Sequence, residues 1–224
     1  MLLQALVEHY ERLIKNGRIP KSGFSSVGVS FVIKINKKGE LINVISCKDR
    51  EKKRMIPRMM TLPERVERSG KKINANFLCD NSKYMFGFGK DGVTEEYQKC
   101  FEAFKILHLK ILKEVNCCEA KALLTFLENW MPQNEKDNSV LKVCIKDILA
   151  GGNLVFSVED FSGYIHENEQ IQNAWHRYKK NQKVGEKSQC LVTGEKDVIA
   201  RVHPSIKSIQ GGQSRGSKLV SFNA

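Results

Sequence analysis

The chain has 224 residues, 41% of them hydrophobic and 28% charged, with a net charge of +12. This is the balance of a globular protein with enough apolar residues for a core. No apolar run approaches the roughly 18 residues of a membrane span, and Glu8 and Glu11 stand where a signal peptide carries bases, so the expectation is a cytoplasmic protein with no membrane partner.

Leu2, Leu3, Leu6, Val7, Tyr10, Leu13 and Ile14 recur at helical spacing, and Asn16-Gly17 ahead of Pro20 stops the pattern. The spacing predicts an amphipathic opening helix. From Val27 to Ile35 the odd positions are apolar, and Asn36-Lys37-Lys38-Gly39 separates them from Leu41 to Cys47. That predicts a hairpin with a four-residue loop. Lys48 to Lys72 has no sustained period, contains Pro57 and Pro63, and reads as a long basic loop. Tyr84, Phe86 and Phe88 then alternate as in a strand, with one aromatic face more suited to a core than to stacking bases.

The middle is helical. Tyr97, Cys100, Phe101, Phe104, Leu107, His108, Ile111, Leu112 and Val115 make one apolar stripe, and Ala120, Leu123, Leu124, Leu127 and Trp130 make another. His108 lies on the first stripe without a second ligand three or four residues away, and reads as a core histidine. Val140 to Leu149 predicts a third helix, Leu154 to Val158 a strand, and Ile165 to Gln182 a helix with a basic end. Short strands then flank a Gly- and Ser-rich loop from Gly211 to Ser217, of the kind whose backbone N–H groups approach phosphates. The fold class expected is α+β, small antiparallel sheets and hairpins packed with a helical middle segment. Three parts are expected: 1–92 with helix, hairpin and basic loop; 93–150, helical; and 151–224 with strand, helix and the Gly/Ser-rich segment.

The charge is concentrated in two places. Residues 48–72 hold ten Lys and Arg against four carboxylates, and residues 177–218 hold ten against three. Together they suggest a positive surface for nucleic acid, with solvated loops as the plain alternative. Lys52, Lys53, Arg54, Lys71 and Lys72 are candidate phosphate contacts, Asn76 and Asn81 candidate readers of base edges, and Asn74 a further nucleic-acid-binding candidate beside them. Asn76 and Asn81 also suit turns, bonding nearby backbone. Gln213 and Arg215 form a second candidate contact loop.

No P-loop, G-x-G-x-x-G, H-E-x-x-H or C-x-x-C motif is present, so no catalytic residue, metal or cofactor is assigned. Asp80 with Asp49 and Glu51 could hold Mg²⁺ in a metal-dependent nuclease. Cys190 and His203 supply at most half a zinc site. A basic RNA-binding module is the third alternative. Seven cysteines, an odd number including adjacent Cys117 and Cys118, suit a reducing compartment and small core positions.

Cys190-Leu-Val-Thr-Gly-Glu195, Ile199-Ala-Arg-Val-His-Pro-Ser-Ile-Lys207 and Gly211-Gly-Gln-Ser-Arg-Gly-Ser-Lys-Leu-Val-Ser-Phe-Asn-Ala224 resemble the signature of the large-subunit family of type I-C CRISPR systems. Arg68-Ser-Gly-Lys-Lys-Ile-Asn-Ala-Asn-Phe-Leu-Cys-Asp-Asn-Ser-Lys-Tyr84 resembles that family's other recurrent block. Relative to the family's greater length, the chain corresponds to an N-terminal part, with a helical C-terminal region missing. The resemblance implies a non-catalytic subunit of the Cascade surveillance complex in antiviral defence. Its partners would be double-stranded target DNA, bound at the protospacer-adjacent motif, and the guide-RNA ribonucleoprotein with the other Cascade subunits.

Overall fold

Phe31, Ile33 and Ile35 point one way from their strand and Val32 and Lys34 the other, and the fold is built on both faces of that alternation. The computed structural model describes residues 2–66, 68, 72–182, 185–190, 192–199, 206, 210–213 and 216–217. The chain divides into two compact units, Tyr10–Lys180 and Met1–His9 with Asn181–Ala224.

The opening helix is α1 (Leu2–Lys15). In the larger unit, β1 (Phe24–Val29), β2 (Phe31–Ile35) and β3 (Leu41–Ser46) follow. The hairpin predicted between β2 and β3 forms, with Ile33 opposite Val44. Its turn is held by Asn36, whose side-chain oxygen accepts from the backbone N–H groups of Lys38 and Glu40, both at 2.9 Å. Gly39 has φ 74°, and a Cβ there would lie 2.5 Å from the Phe126 nitrogen, so the turn packs closer to its neighbour than any side chain permits.

The run Val27 to Ile35 is not one strand. It breaks at Ser30, whose N–H donates to the Asn153 carbonyl at 2.8 Å while Asn153 Nδ2 donates to the Gly28 carbonyl at 2.8 Å. β1 then pairs antiparallel with a strand of the basic segment. That segment is not a loop either: β4 (Asp49–Glu51) and β5 (Arg54–Ile56) form a hairpin, and β6 (Arg58–Pro63) lies beside β1. The expected strand at Tyr84 to Phe88 is a third correction. Asn81 caps a short helix, α2 (Ser82–Met85), and irregular chain follows with Tyr84, Phe86 and Phe88 all buried.

The helical middle agrees with its stripes. α3 (Glu95–Leu112) starts at Thr94, whose Oγ1 accepts from Tyr97 N at 3.2 Å, and has Glu95 and Glu96 in its first turn where the helix dipole favours them. α4 (Cys118–Asn129) and α5 (Ser139–Leu149) follow, the latter capped by Asn138. β7 (Leu154–Val158) then pairs parallel to β2, giving a mixed sheet in the order β3-β2-β7. α6 (Glu169–Gln182) closes the unit, with Trp175 Nε1 donating to the Gly23 carbonyl at 2.8 Å.

One sheet face carries Phe31, Ile33, Ile35, Leu154 and Phe156 into a core shared with Phe104, Leu123 and Phe126 of the helices. Each such burial contributes about 1.5–3 kcal/mol. The opposite face supplies Val32 and Val155 to a smaller core with Val27, Val29, Met60 and Leu62. The chain is thus α+β, with β2 between two cores. In the smaller unit, β8 (Lys187–Gln189) and β9 (Lys196–Val198) form a hairpin. All seven cysteines are free thiols; Cys47, Cys79 and Cys100 are buried as expected, but Cys118 and Cys190 are exposed. Among the described residues no helix is long and apolar enough to cross a membrane.

Candidate nucleic-acid interface

Asp80 has no exposed surface, and a carboxylate there must find donors. It accepts from both terminal nitrogens of Arg68, one at 3.1 Å, from Asn76 N at 3.0 Å, from Asn76 Nδ2 at 3.2 Å and from Asn81 N at 2.9 Å. Its carbonyl accepts from Leu154 N at 2.8 Å, which ties the cluster to β7. Arg68 also donates through Nε to the Asn74 carbonyl at 2.6 Å and stacks over Tyr84, 3.9 Å from the ring centre. One buried carboxylate thus gathers Arg68, Asn76 and Asn81, and Arg68 carries the connection on to Asn74.

The three asparagines divide on this frame. Asn76 is 3% exposed, its oxygen accepts from Val66 N at 2.9 Å and its nitrogen donates to Asp80. No edge of that amide remains for a base, and its role is structural. Asn81 spends its oxygen on Lys83 N at 3.1 Å as the cap of α2. Asn74 differs: its backbone carbonyl is held by Arg68, it is half-buried, and its amide bonds no described residue.

His108 sets the far side of this segment. Leu78, at φ 63°, donates its N–H to His108 Nε2 at 2.9 Å, while Nδ1 lies 2.7 Å from the Phe104 carbonyl, which fixes the proton on Nδ1. Burial pushes its pKa down to about 4, so the ring is neutral at pH 7. The core histidine expected from the α3 stripe is thus also the acceptor that holds a positive-φ turn.

The cations lie mostly on the β4–β5 hairpin. Glu51 pairs with Arg54 across a two-residue loop, Lys52-Lys53, with Lys52 at φ 52°. Lys52, Lys53 and Arg54 are exposed, as is Arg50, and among the described residues none of the four has a carboxylate within ion-pairing distance. Asp49 is engaged at the hairpin's base by Arg58, at 2.7 and 3.1 Å, which holds its pKa below the ordinary carboxylate value. Lys72 is exposed beside the Arg68 cluster in sequence.

A model of the family CRISPR-associated protein (Cas_Csd1) matches residues 6–224. The chain belongs to this Csd1 family. A comparison with curated proteins gives no match.

The remaining candidates of the Csd1 chain lie elsewhere. Gln213 is exposed in the smaller unit, in a turn where its carbonyl accepts from Gly216 N at 2.9 Å. Lys71, Arg215 and His203 lie outside the described residues. The suggested Mg²⁺ carboxylates are not assembled for that task, since Asp80 is given to Arg68 and Asp49 to Arg58. Among the described residues no three of His, Cys, Asp and Glu group so as to hold a metal ion. Sequence reasoning passed over Arg68 as one cation among ten. Only an acid at a distance that a loop can close would have marked it, and Asp80 stands twelve positions on.

Proposed function

We propose that this Csd1-family chain is a non-catalytic large subunit of a type I-C Cascade complex. It binds double-stranded DNA at the protospacer-adjacent motif and helps open the duplex for guide-RNA pairing. In such a complex the guide supplies most of the discrimination and the protein reads a few base pairs. The observation that carries the reading is the β4–β5 hairpin, whose exposed Arg50, Lys52, Lys53 and Arg54 have, among the described residues, no carboxylate within ion-pairing distance, and which leads through β6 toward the Arg68–Asp80 cluster. Cations of this kind take phosphates and give affinity without sequence information.

Specificity falls to Asn74. Its backbone carbonyl is held by Arg68 and its amide bonds no described residue, the state in which an asparagine can meet adenine N6 and N7 together. Binding of the chain to duplexes with and without the motif tests both parts. Asn74→Ala should cost about 1–3 kcal/mol of discrimination at one base pair, while Lys72→Ala should weaken all duplexes alike and reduce the salt slope by about 1. Equal losses on both duplexes would remove Asn74 from base reading.

A further inference from the structure

The second face of the β3-β2-β7 sheet is only partly covered, and where its cover ends an open pocket of about 460 Å³ remains. Lys34 forms part of it. This lysine sits half-buried in the central strand, opposite Asn43 on one side and Ser157 on the other. Among the described residues no carboxylate pairs with it, and none lines the pocket. An ammonium held on a sheet face without a counter-ion is a place for an anion. Ser157, the partner of Lys34 across the sheet, also lines the pocket and adds a hydroxyl on the same face, and Lys48 lies at the rim with its ammonium 4.7 Å from the centre of the Phe31 ring.

The opposite wall is aromatic. Phe161 is 37% exposed, on a turn whose shape is set by Asp160 at φ 65° and Gly163 at φ 93°. A Cβ at Gly163 would strike Glu167 Oε2 at 2.5 Å, and that oxygen accepts from Tyr164 N at 2.8 Å, so the turn is held in place. Tyr164 stacks on buried His166 with centroids 5.3 Å apart and planes 5° from parallel, and Arg58 contacts its hydroxyl. Asp160 and Asp49, beside the pocket in sequence, are each engaged, by Lys37 at 3.2 Å and by Arg58.

A cation and a hydroxyl lining one pocket with aromatic rings are the chemistry that takes a phosphate together with a base, and the Lys37 ammonium, 5.6 Å from the centre of the Phe161 ring, adds charge at the aromatic side. We propose that this pocket binds one unpaired nucleotide of a nucleic-acid strand, its base against Phe161 and Tyr164 and its phosphate at Lys34 and Ser157. The source is a strand rather than a free nucleotide because Lys48 directly precedes β4, which makes the pocket continuous with the basic hairpin. The proposal rests on the reading of the chain as a DNA-binding subunit and adds a place for an extruded or displaced base.

Fluorescence anisotropy of the full chain with labelled oligo-dT, which has no secondary structure, tests it. Phe161→Ala should weaken binding roughly 5- to 100-fold. Phe161→Trp should restore it, which separates loss of stacking from loss of folding. Lys34→Gln should weaken binding and lower the salt slope by about 0.7. Thymidine monophosphate should compete only at concentrations far above those of the oligonucleotide. Replacing Lys52 and Lys53 by Gln should impair duplex binding while leaving the Phe161→Ala effect on oligo-dT intact, so failure of the duplex reading and failure of the pocket are seen separately. Unchanged oligo-dT affinity in both Phe161→Ala and Lys34→Gln would overturn the site, and competition by the mononucleotide at matching affinity would overturn the strand as its source.

Discussion

Asp80 and Asn76 show how polar side chains of a loop can be spent on its own backbone. Removing one partner of a buried ion pair leaves the other charge without compensation, which costs about 3–5 kcal/mol. Asp80→Ala should therefore lower stability by an amount in that range, read from denaturant unfolding, because Arg68 and two backbone N–H groups lose their acceptor together. Asn76→Ala should cost about 0.5–1.5 kcal/mol for each lost hydrogen bond, from Val66 N–H and to Asp80, yet leave the ratio of affinities for duplexes with and without the motif unchanged. A changed ratio in folded Asn76→Ala would return that residue to base reading. The sequence places three asparagines near aromatic residues, but which amide edges are spent depends on Asp80, Val66 and Lys83 acting across a folded loop. That assignment is settled by tertiary distance, and residue type does not carry it.

The β4–β5 hairpin and the break in β1–β2 are where local pattern and real elements part. Alternation runs through Ser30 without a flaw, so nothing local announces that the chain changes sheets there. The cause is Asn153, more than a hundred positions away, which bonds both Ser30 and Gly28. The basic hairpin escapes notice for the opposite reason: its strands are three residues each, too short for a period, and its faces are exposed, so no apolar alternation is needed. The aromatic alternation after Asn81 misleads because all three rings are buried in irregular chain around one short helix. The amphipathic helices α3 and α4, by contrast, were legible, since each buries a single stripe, while α1 forms where its spacing predicts with Leu3, Leu6 and Tyr10 exposed. At the hairpin tip, Lys52 occupies a positive φ that favours glycine. Lys52→Gly should thus keep or slightly raise stability while reducing duplex affinity and the salt slope by about one phosphate contact. Unchanged affinity across a salt titration would show that this tip does not touch the DNA.

The whole unit is knit around β2, with a parallel partner contributed late in the chain and two buried histidines bracketing the core. Burial lowers the pKa of both His108 and His166 to about 4 from an ordinary value of 6.5. Above pH 6.5 both are neutral whether folded or unfolded, and they add no pH dependence. Between pH 6.5 and 4 the unfolded chain takes up protons that the folded chain refuses, so stability falls with falling pH, by an amount on the order of 3 kcal/mol for each ring. Glu135, whose pKa is raised by burial, works against this, since its protonated form is the one favoured by folding. Thermal unfolding should accordingly show a midpoint that is level above pH 7 and drops from pH 6.5 downward. His166→Phe should keep the stacking on Tyr164, remove the buried Nδ1 that has no partner, and flatten the drop. His108→Gln should also flatten it while retaining an acceptor for Leu78 N–H. A wild-type midpoint that stays level down to pH 5, or a drop in both variants as large as that of the wild type, would exclude the histidines as its source.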